Sequence, residues 1–374
     1  MVSRESRQIR PLADSHSPPE VARVSDDLGV LDRYLTVWIG LAMVLGVALG
    51  QFVPGVADAL NAVTWHGTSL PIAIGLFVMI FPIMAEIDYG RIPRVTRTAR
   101  KEIGLTLAFN WLVAPFLMYG LATFFLGGSP DLVTGLIIVG IAPCIAMVLV
   151  WNELAAGNQE MCAVCVGVNS LLQIVLFVPY AFLFLTVLRG TSVDVSMGLI
   201  AQMVLVFLGL PLALGYLTQR VAFRTVGRET YYGRVIPRIG PLGLLGLLFT
   251  VVVMFALKGD YIVSNPEQIV RIAIPLLVFF VALWGIAYGV SALIGFDYTE
   301  SVSLAFTAAS NNFELAIAVA VAVFGIGSNV ALATVVGPLI EVPVMLALVR
   351  VALATKGRLF DTDGDRTAFT PTDD

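Results

Sequence analysis

Long apolar runs, separated by short polar segments, fill the chain from about residue 34 to residue 354. A membrane-spanning α-helix needs about 20 predominantly apolar residues. Ten runs reach that length, and several contain an internal Pro or Gly, which membrane helices tolerate where neighbouring groups satisfy the backbone. The predicted helices are 34–53, 69–87, 102–126, 132–152, 159–188, 195–218, 239–257, 269–295, 301–325 and 329–354.

Polar segments flank these ten helices at both ends. Residues 1–30 contain Pro and many polar residues and lack the apolar run of a signal peptide, a pattern typical of a disordered tail. We therefore predict a disordered N-terminal tail at 1–30, a ten-helix domain at 31–355 and an acidic C-terminal tail at 356–374.

The basic residues indicate the orientation of the helices. All but three of the 22 Lys and Arg residues fall on one side of the ten-helix topology, the exceptions being Arg189, Lys258 and Arg271. Because Lys and Arg accumulate in cytoplasmic loops, both termini are predicted to be cytoplasmic. The expected location is the plasma membrane, which is the inner membrane of a prokaryote.

Composition agrees with a protein surrounded by membrane lipid. Of the 374 residues, 58% are hydrophobic and 13% are charged, against roughly 25% charged residues in a soluble domain. The net charge of −4 is spread over loops and tails, so no basic patch favours nucleic-acid binding. The three Cys lie in apolar segments, which argues against a disulfide framework. No cofactor motif is evident, and no pattern indicates an oligomeric state.

An even number of helices permits an internal repeat of five plus five, which is inverted because five is odd. An offset of 168 residues aligns Asn169–Gln173 with Gly337–Glu341, and it also aligns Cys144 with Asn312. The fourth and ninth predicted helices are therefore candidate counterparts in an all-α fold with inverted symmetry.

Both of these helices carry signals that interrupt a helix. Pro143 removes a backbone donor in the middle of the fourth. In the ninth, the side chains of Ser310–Asn312 can bond backbone groups in place of the helical hydrogen bonds. Broken helices at matching positions of two repeats mark the substrate site of secondary transporters. We therefore predict that broken helices 4 and 9 cross near the middle of the membrane.

Polar and soft side chains lie at a similar depth in five of the helices. A carboxylate at the bilayer centre, such as that of Glu314, costs roughly 2.5–3.5 kcal/mol on insertion scales, so it is expected to have a function. At ~1.5 Å per residue, the five groups lie roughly 13–20 Å from the cytoplasmic ends of their helices. They are Asn110, Cys144, Asn169, Glu314 and Glu341.

Three motifs carry a resemblance to a known family. They are Ala142–Met147 followed by Val150–Asn152, then Phe306–Leu315, and finally Val336–Pro343. With these motifs, residues 30–355 resemble the Acr-type arsenite efflux permeases. These permeases are the third class of arsenical-resistance proteins in the bile acid/arsenite/riboflavin transporter superfamily.

The resemblance implies a ten-helix permease that exports trivalent arsenite, and often antimonite, in exchange for protons. Its partners are then the metalloid substrate, protons and membrane lipid, with arsenic as cargo and without a resident metal or cofactor. The positions that match the family's substrate-binding residues are Cys144, Asn312, Glu314, Asn110, Asn169 and Trp151, and those that match its proton-coupling residues are Glu314 and Glu341.

Each of these roles has an alternative. The soft thiolate of Cys144 suits trivalent arsenic, but a free Cys is also a common small core residue. A three-thiol site with Cys162 and Cys165 is disfavoured, because both lie near the cytoplasmic start of the fifth helix. Trp151 either packs beside the site or anchors its helix at the membrane interface. The two Glu residues either carry protons or form neutral hydrogen bonds between helices.

Two other functions are kept open. A sodium-coupled symporter of organic anions, as in the bile-acid branch of the superfamily, has no use for a thiol at Cys144. A membrane receptor or enzyme is disfavoured, since the chain has no His-rich metal motif, no nucleophile elbow and no Lys within a predicted helix. We therefore expect a transporter and not an enzyme.

Overall fold

The computed structural model describes residues 35–65, 68–189, 196–264, 266–325 and 327–360. Within these ranges the chain is almost entirely helical, apart from one antiparallel pair of two-residue strands. Strand β1 (Thr64–Trp65) pairs with β2 (Thr68–Ser69), with Thr64 opposite Ser69. The tail predicted at 1–30 and residues 361–374 of the C-terminal tail lie outside the described residues.

Fourteen helices are described. In chain order they are α1 (Leu35–Phe52), α2 (Val56–Asn61), α3 (Leu70–Glu86), α4 (Ile92–Thr98), α5 (Arg100–Ala108 continued by Ala114–Leu126), α6 (Pro130–Gly140), α7 (Met147–Leu154), α8 (Gln159–Ala181 continued to Leu188), α9 (Met197–Val204 continued by Leu210–Thr225), α10 (Arg228–Thr230 continued by Ile236–Ser264), α11 (Pro266–Ile294), α12 (Tyr298–Ala309), α13 (Phe313–Phe324) and α14 (Asn329–Leu359). Four of them contain a π-helical turn, at Phe109–Val113, Phe182–Leu188, Leu205–Gly209 and Tyr231–Val235.

Six helical stretches are long and apolar enough to cross a membrane. They are Arg100–Leu126, Gln159–Leu188, Met197–Thr225, Arg228–Leu257, Pro266–Ile294 and Asn329–Gly357. Four shorter apolar helices accompany them: Val37–Phe52, Leu70–Glu86, Pro130–Gly140 and Phe313–Phe324. Each of the ten overlaps one predicted segment, which confirms an all-α polytopic membrane protein. The ten crossings, the complete inverted repeat and the orientation of the termini stay predictions.

The helices pack in two groups. We call α1, α3, α9 and α10 the four-helix group, in which α10 lies along α1 and α3, and α9 lies against α3. Close contact requires Gly46 in α1, since a Cβ atom there would lie 2.6 Å from the Val252 carbonyl oxygen of α10. We call α5–α8 and α11–α14 the crossing group, because the two predicted breaks lie inside it.

The last helix extends beyond its predicted end. The sequence predicts the domain boundary at residue 355, but α14 continues to Leu359. Phe360, which follows it, is buried between the rings of Tyr288 and Tyr298. The start of the predicted C-terminal tail is therefore part of the packed domain.

Candidate functional site

Two helix breaks face each other inside the crossing group. The first separates α6, which ends at Gly140, from α7, which begins at Met147. The second separates α12, which ends at Ala309, from α13, which begins at Phe313. The extended residues of the two breaks run antiparallel, and Pro143 pairs with Asn311. We call this arrangement the crossing; it confirms the predicted breaks in helices 4 and 9.

Backbone hydrogen bonds hold the two breaks together. The Cys144 N–H donates to the Ser310 carbonyl at 3.1 Å, and the Asn312 N–H donates to the Ala142 carbonyl at 2.7 Å. These two bonds lie on either side of Pro143, which has no N–H to donate. Each break therefore satisfies backbone groups that the other leaves without a helical partner.

Two Asn side chains complete the backbone hydrogen bonds at the crossing. Asn311 Nδ2 donates to the carbonyls of Val139 at 3.0 Å and Ala142 at 3.3 Å, near the end of α6. Asn312 caps α13, because its Oδ1 accepts the N–H of Leu315 at 3.0 Å. The sequence predicts that these side chains replace helical hydrogen bonds, and the structure confirms it.

A carboxyl group from α14 reaches the same crossing. Ser310 Oγ donates a short hydrogen bond to Glu341 Oε1, and both residues are completely buried. The Cys144 thiol lies within electrostatic range of the Glu341 and Glu314 carboxyls. The structure thus brings together four of the predicted site residues: Cys144, Asn312, Glu314 and Glu341.

Glu314 faces the boundary between the two groups of helices. It lines a cavity of about 10 Å³ together with residues of α1, α7, α10 and α14, among them Ile39, Thr250 and Pro338. Such a volume has room for about one water molecule. This cavity at Glu314 therefore has no room for a molecule much larger than water.

The remaining predicted site residues, Asn110, Asn169 and Trp151, are buried. Among the described residues, their side chains form no hydrogen bond to the residues of the crossing. Asn169 Oδ1 accepts the indole N–H of Trp111 at 3.0 Å, and the Trp111 carbonyl accepts the Tyr180 hydroxyl at 2.5 Å. Asn110 lies next to Trp111 in a π-helical turn of α5, a feature frequent at functional sites. Trp151 is completely buried, which favours packing over an anchoring role at the membrane interface.

The two other thiols lie in α8, outside the two helix breaks, although Cys162 is within electrostatic range of Cys144. Cys162 Sγ lies 3.8 Å from Thr307 Oγ1, and both Cys162 and Cys165 are fully buried. Among the described residues, no group of three His, Cys, Asp or Glu side chains could hold a metal ion. The packing role that the sequence favours for these two Cys residues stays a prediction.

Sequence reasoning does not assign site roles to Ser310 or Trp111. Ser310 contacts both Cys144 and Glu341, whereas the sequence indicates the Ser-Asn-Asn cluster only as a helix break. Trp111 lies beside a predicted site residue, Asn110, in the sequence. A buried indole N–H usually donates to an acceptor. The sequence could therefore have predicted that Trp111 has a hydrogen-bond partner, but not that this partner is Asn169.

Two discontinuous helices that meet inside a bundle of membrane-spanning helices define the class of this protein, a polytopic membrane transporter. A family model described as the Sodium Bile acid symporter family matches residues 73–265. The chain belongs to this family and, within it, to the group of the Acr3 arsenical-resistance proteins. The resemblance drawn from the three motifs is confirmed.

Three relatives cover nearly the whole chain. The protein is 44% identical to the "Arsenical-resistance protein Acr3" of Corynebacterium glutamicum, over 90% of this chain and 92% of that protein. It is 37% identical to the "Uncharacterized transporter slr0944" of Synechocystis sp., over 90% and 92%. It is also 35% identical to the "Arsenical-resistance protein Acr3" of Alkaliphilus metalliredigens, over 88% and 94%.

Proposed function

We propose that this protein exports trivalent arsenite from the cytoplasm, and accepts antimonite as a second substrate. The observation that carries the proposal is a lone buried thiol, Cys144, at the crossing of two broken helices. Thiolates are preferred ligands of soft metals and metalloids. One thiol permits a bond that forms and breaks during each transport cycle. The names of two close relatives, which are arsenical-resistance proteins, support the same substrate.

The groups around Cys144 suit an uncharged hydroxide. Arsenite at neutral pH is largely As(OH)₃, whose hydroxyls both donate and accept hydrogen bonds. Asn312 offers amide hydrogens at the crossing, and its Nδ2 has no hydrogen-bond partner among the described residues. Glu314 offers carboxyl oxygens at the adjoining cavity. In this proposal the thiol provides the bond to arsenic and the polar groups bind the hydroxyls, with Asn110, Asn169 and Trp151 lining the pathway.

Export is proposed to be coupled to protons. Glu341 and Glu314 are buried carboxyl groups within electrostatic range of the thiol. A buried carboxyl can hold a proton in one conformation and release it in another. Alternating access then arises when the crossing group and the four-helix group move relative to each other about the site. The closed cavity at Glu314 lies at the boundary where such a movement would open a path.

The test is arsenite accumulation in everted membrane vesicles, with and without a proton gradient. We expect gradient-driven accumulation by the wild-type protein, and a loss of at least about tenfold in Cys144→Ser, which keeps the size of the side chain but removes the soft ligand. Cys162→Ser is the matched control, since that thiol is equally buried but lies outside the crossing. Wild-type vesicles that accumulate no arsenite under any gradient would refute the proposal.

A second function has its own supporting observation. The family model that matches residues 73–265 is described as that of sodium bile acid symporters, so sodium-coupled uptake of an organic anion is the alternative. The same vesicles distinguish the two functions. Uptake that depends on a sodium gradient, and is unchanged in Cys144→Ser, would favour organic-anion symport over arsenite export.

A further inference from the structure

Gln173 is an unusual residue in the interior of α8. Its side chain is completely buried, and neither Oε1 nor Nε2 has a hydrogen-bond partner among the described residues. Most buried polar side-chain atoms are hydrogen-bonded, so each exception requires an explanation. A polar group that is kept buried without a partner lowers the stability of the fold. A stability role therefore does not explain why this position carries Gln.

Asn169, one helical turn earlier, has a similar deficit. Its Oδ1 accepts the Trp111 N–H, but its Nδ2 has no partner among the described residues. Residues four apart in a helix lie on the same face, so Asn169 and Gln173 are neighbours along α8. Together they present two donor groups and one acceptor oxygen that remain unused.

The predicted internal repeat gives Gln173 a counterpart at the crossing. The offset of 168 residues that aligns Pro143 with Asn311, which pair in the structure, also aligns Gln173 with Glu341. Glu341 binds Ser310 in the break between α12 and α13. By this alignment, Gln173 is inferred to lie on the side of Pro143, as Glu341 lies on the side of Asn311 through its bond to Ser310. The two positions differ in charge, since one carries an amide and the other a carboxyl.

We propose that Gln173, with Asn169, is a second recognition point for the cargo, one that binds the hydroxyl groups of uncharged As(OH)₃. This inference rests on the proposed function and names a residue beyond the predicted site. An amide can accept a hydrogen bond at Oε1 and donate one at Nε2, while an As–OH group can do both. Unlike a carboxylate, the amide keeps this ability whether or not a proton is bound at Glu341. Cargo recognition at Gln173 is thus independent of the coupling ion.

The decisive variant is Gln173→Leu, which replaces the amide by an apolar side chain of similar size. If the amide exists for the cargo, its removal relieves an unsatisfied buried group. The purified variant should then melt at the wild-type temperature or above it. Its KM for arsenite should rise about five- to thirtyfold, as expected for the loss of one or two hydrogen bonds. The upward shift in melting temperature that arsenite causes in the wild type should be reduced.

Gln219→Leu is the matched control. Gln219 is another buried Gln in a membrane helix, but its Nε2 donates to the Ile87 carbonyl at 2.7 Å and to the Tyr232 hydroxyl at 3.0 Å. Its replacement should lower the melting temperature and leave the KM of the folded fraction unchanged. The opposite pattern in the two variants is the signature of a recognition role for Gln173.

Two results would overturn the inference. A Gln173→Leu protein that melts below the wild type, and transports less only in proportion to its folded amount, would show that Gln173 is structural. A stable variant with the wild-type KM would show that the cargo does not contact it. In both cases wild-type export of arsenite leaves the proposed function intact, whereas the absence of wild-type export refutes the proposed function and this inference together.

Discussion

At the crossing, single residues connect groups that are far apart in the sequence. Ser310 is the clearest case, because its carbonyl accepts the Cys144 N–H while its hydroxyl donates to Glu341. A carboxylate can only accept a hydrogen bond, whereas a protonated carboxyl can also donate one. A change in the protonation of Glu341 therefore alters its hydrogen bond with the Ser310 hydroxyl. The carbonyl of the same residue accepts the N–H of Cys144, the proposed arsenic ligand, so the change can reach the backbone at Cys144.

Replacement of Glu341 by Gln tests this connection. The Glu341→Gln variant keeps the size of the side chain and an oxygen that can accept from Ser310, but its amide cannot bind and release a proton. We expect a folded protein that still exchanges labelled for unlabelled arsenite across the vesicle membrane at near the wild-type rate. Its accumulation driven by a proton gradient should fall at least about tenfold. Accumulation at the wild-type rate in Glu341→Gln would exclude Glu341 as the proton carrier.

At the scale of the helix, packing at the second break depends on a glycine, Gly337, which has no side chain. Gly337 in α14 lies against the ring of Phe313, the first residue of α13, and a Cβ atom at position 337 would overlap that ring. The Phe313 ring in turn makes an edge contact with Phe280 of α11, with the centroids 6.3 Å apart. Gly337 therefore fixes how closely the second half of the broken helix approaches α14.

The substitution Gly337→Ala should consequently destabilise the protein. Overpacking of a filled core costs about 1–3 kcal/mol, and here the ring that must move adjoins the Asn312 cap. We expect a lower melting temperature and reduced arsenite accumulation. Gly289→Ala in α11 is the control, since a Cβ atom there meets no atom within 4 Å and Ala favours the helix by up to about 1 kcal/mol. Equal melting temperatures for the two variants would contradict this account of the packing.

The sequence predicts those features of the crossing that depend on neighbouring residues, and it does not predict those that depend on contacts between distant segments. Pro143 and Ser310–Asn312 interrupt their own helices, so local sequence is sufficient to predict both breaks. The alignment at an offset of 168 residues also predicts that the two broken helices are counterparts. In the structure the two breaks meet, with Pro143 paired with Asn311. The bond from Asn311 to Val139 could not be predicted, because it depends on the approach of two segments 172 residues apart.

At the scale of the whole molecule, a chain of ion pairs joins the two groups of helices. Arg91, in the linker between α3 and α4, binds Asp88 at 3.1 Å and Glu160 of α8 at 3.2 Å. Asp88 also pairs with Arg228 at the start of α10. Arg228 and Asp88 belong to the four-helix group and its linker, while Glu160 belongs to the crossing group. From the sequence these Arg residues are only topology signals, since charge counts do not reveal a partner 69 residues away.

Arg91 is consequently expected to bias the relative position of the two groups. Exposed ion pairs contribute about 0–1 kcal/mol each, so Arg91→Gln should have little effect on the melting temperature. It should, however, favour conformations in which the crossing is open. Cys144, which is 2% exposed here, then becomes a reporter in a Cys162→Ser, Cys165→Ser background that leaves it as the single thiol. Its labelling rate by a small thiol reagent should rise about two- to fivefold.

The matched control is Arg94→Gln, because Arg94 lies three residues further along the same basic segment and has no ion pair among the described residues. High salt should raise Cys144 labelling in the wild type, since it screens exposed charges, but should have less effect in Arg91→Gln. The charge reversal Arg91→Glu with Glu160→Arg should return labelling towards the wild-type rate if the cross-group pair is the cause. Identical labelling of the Arg91 and Arg94 variants would instead mean that this chain of ion pairs does not control access to the crossing. The packing of α9 against α13 would then be the contact between the two groups that holds the closed conformation.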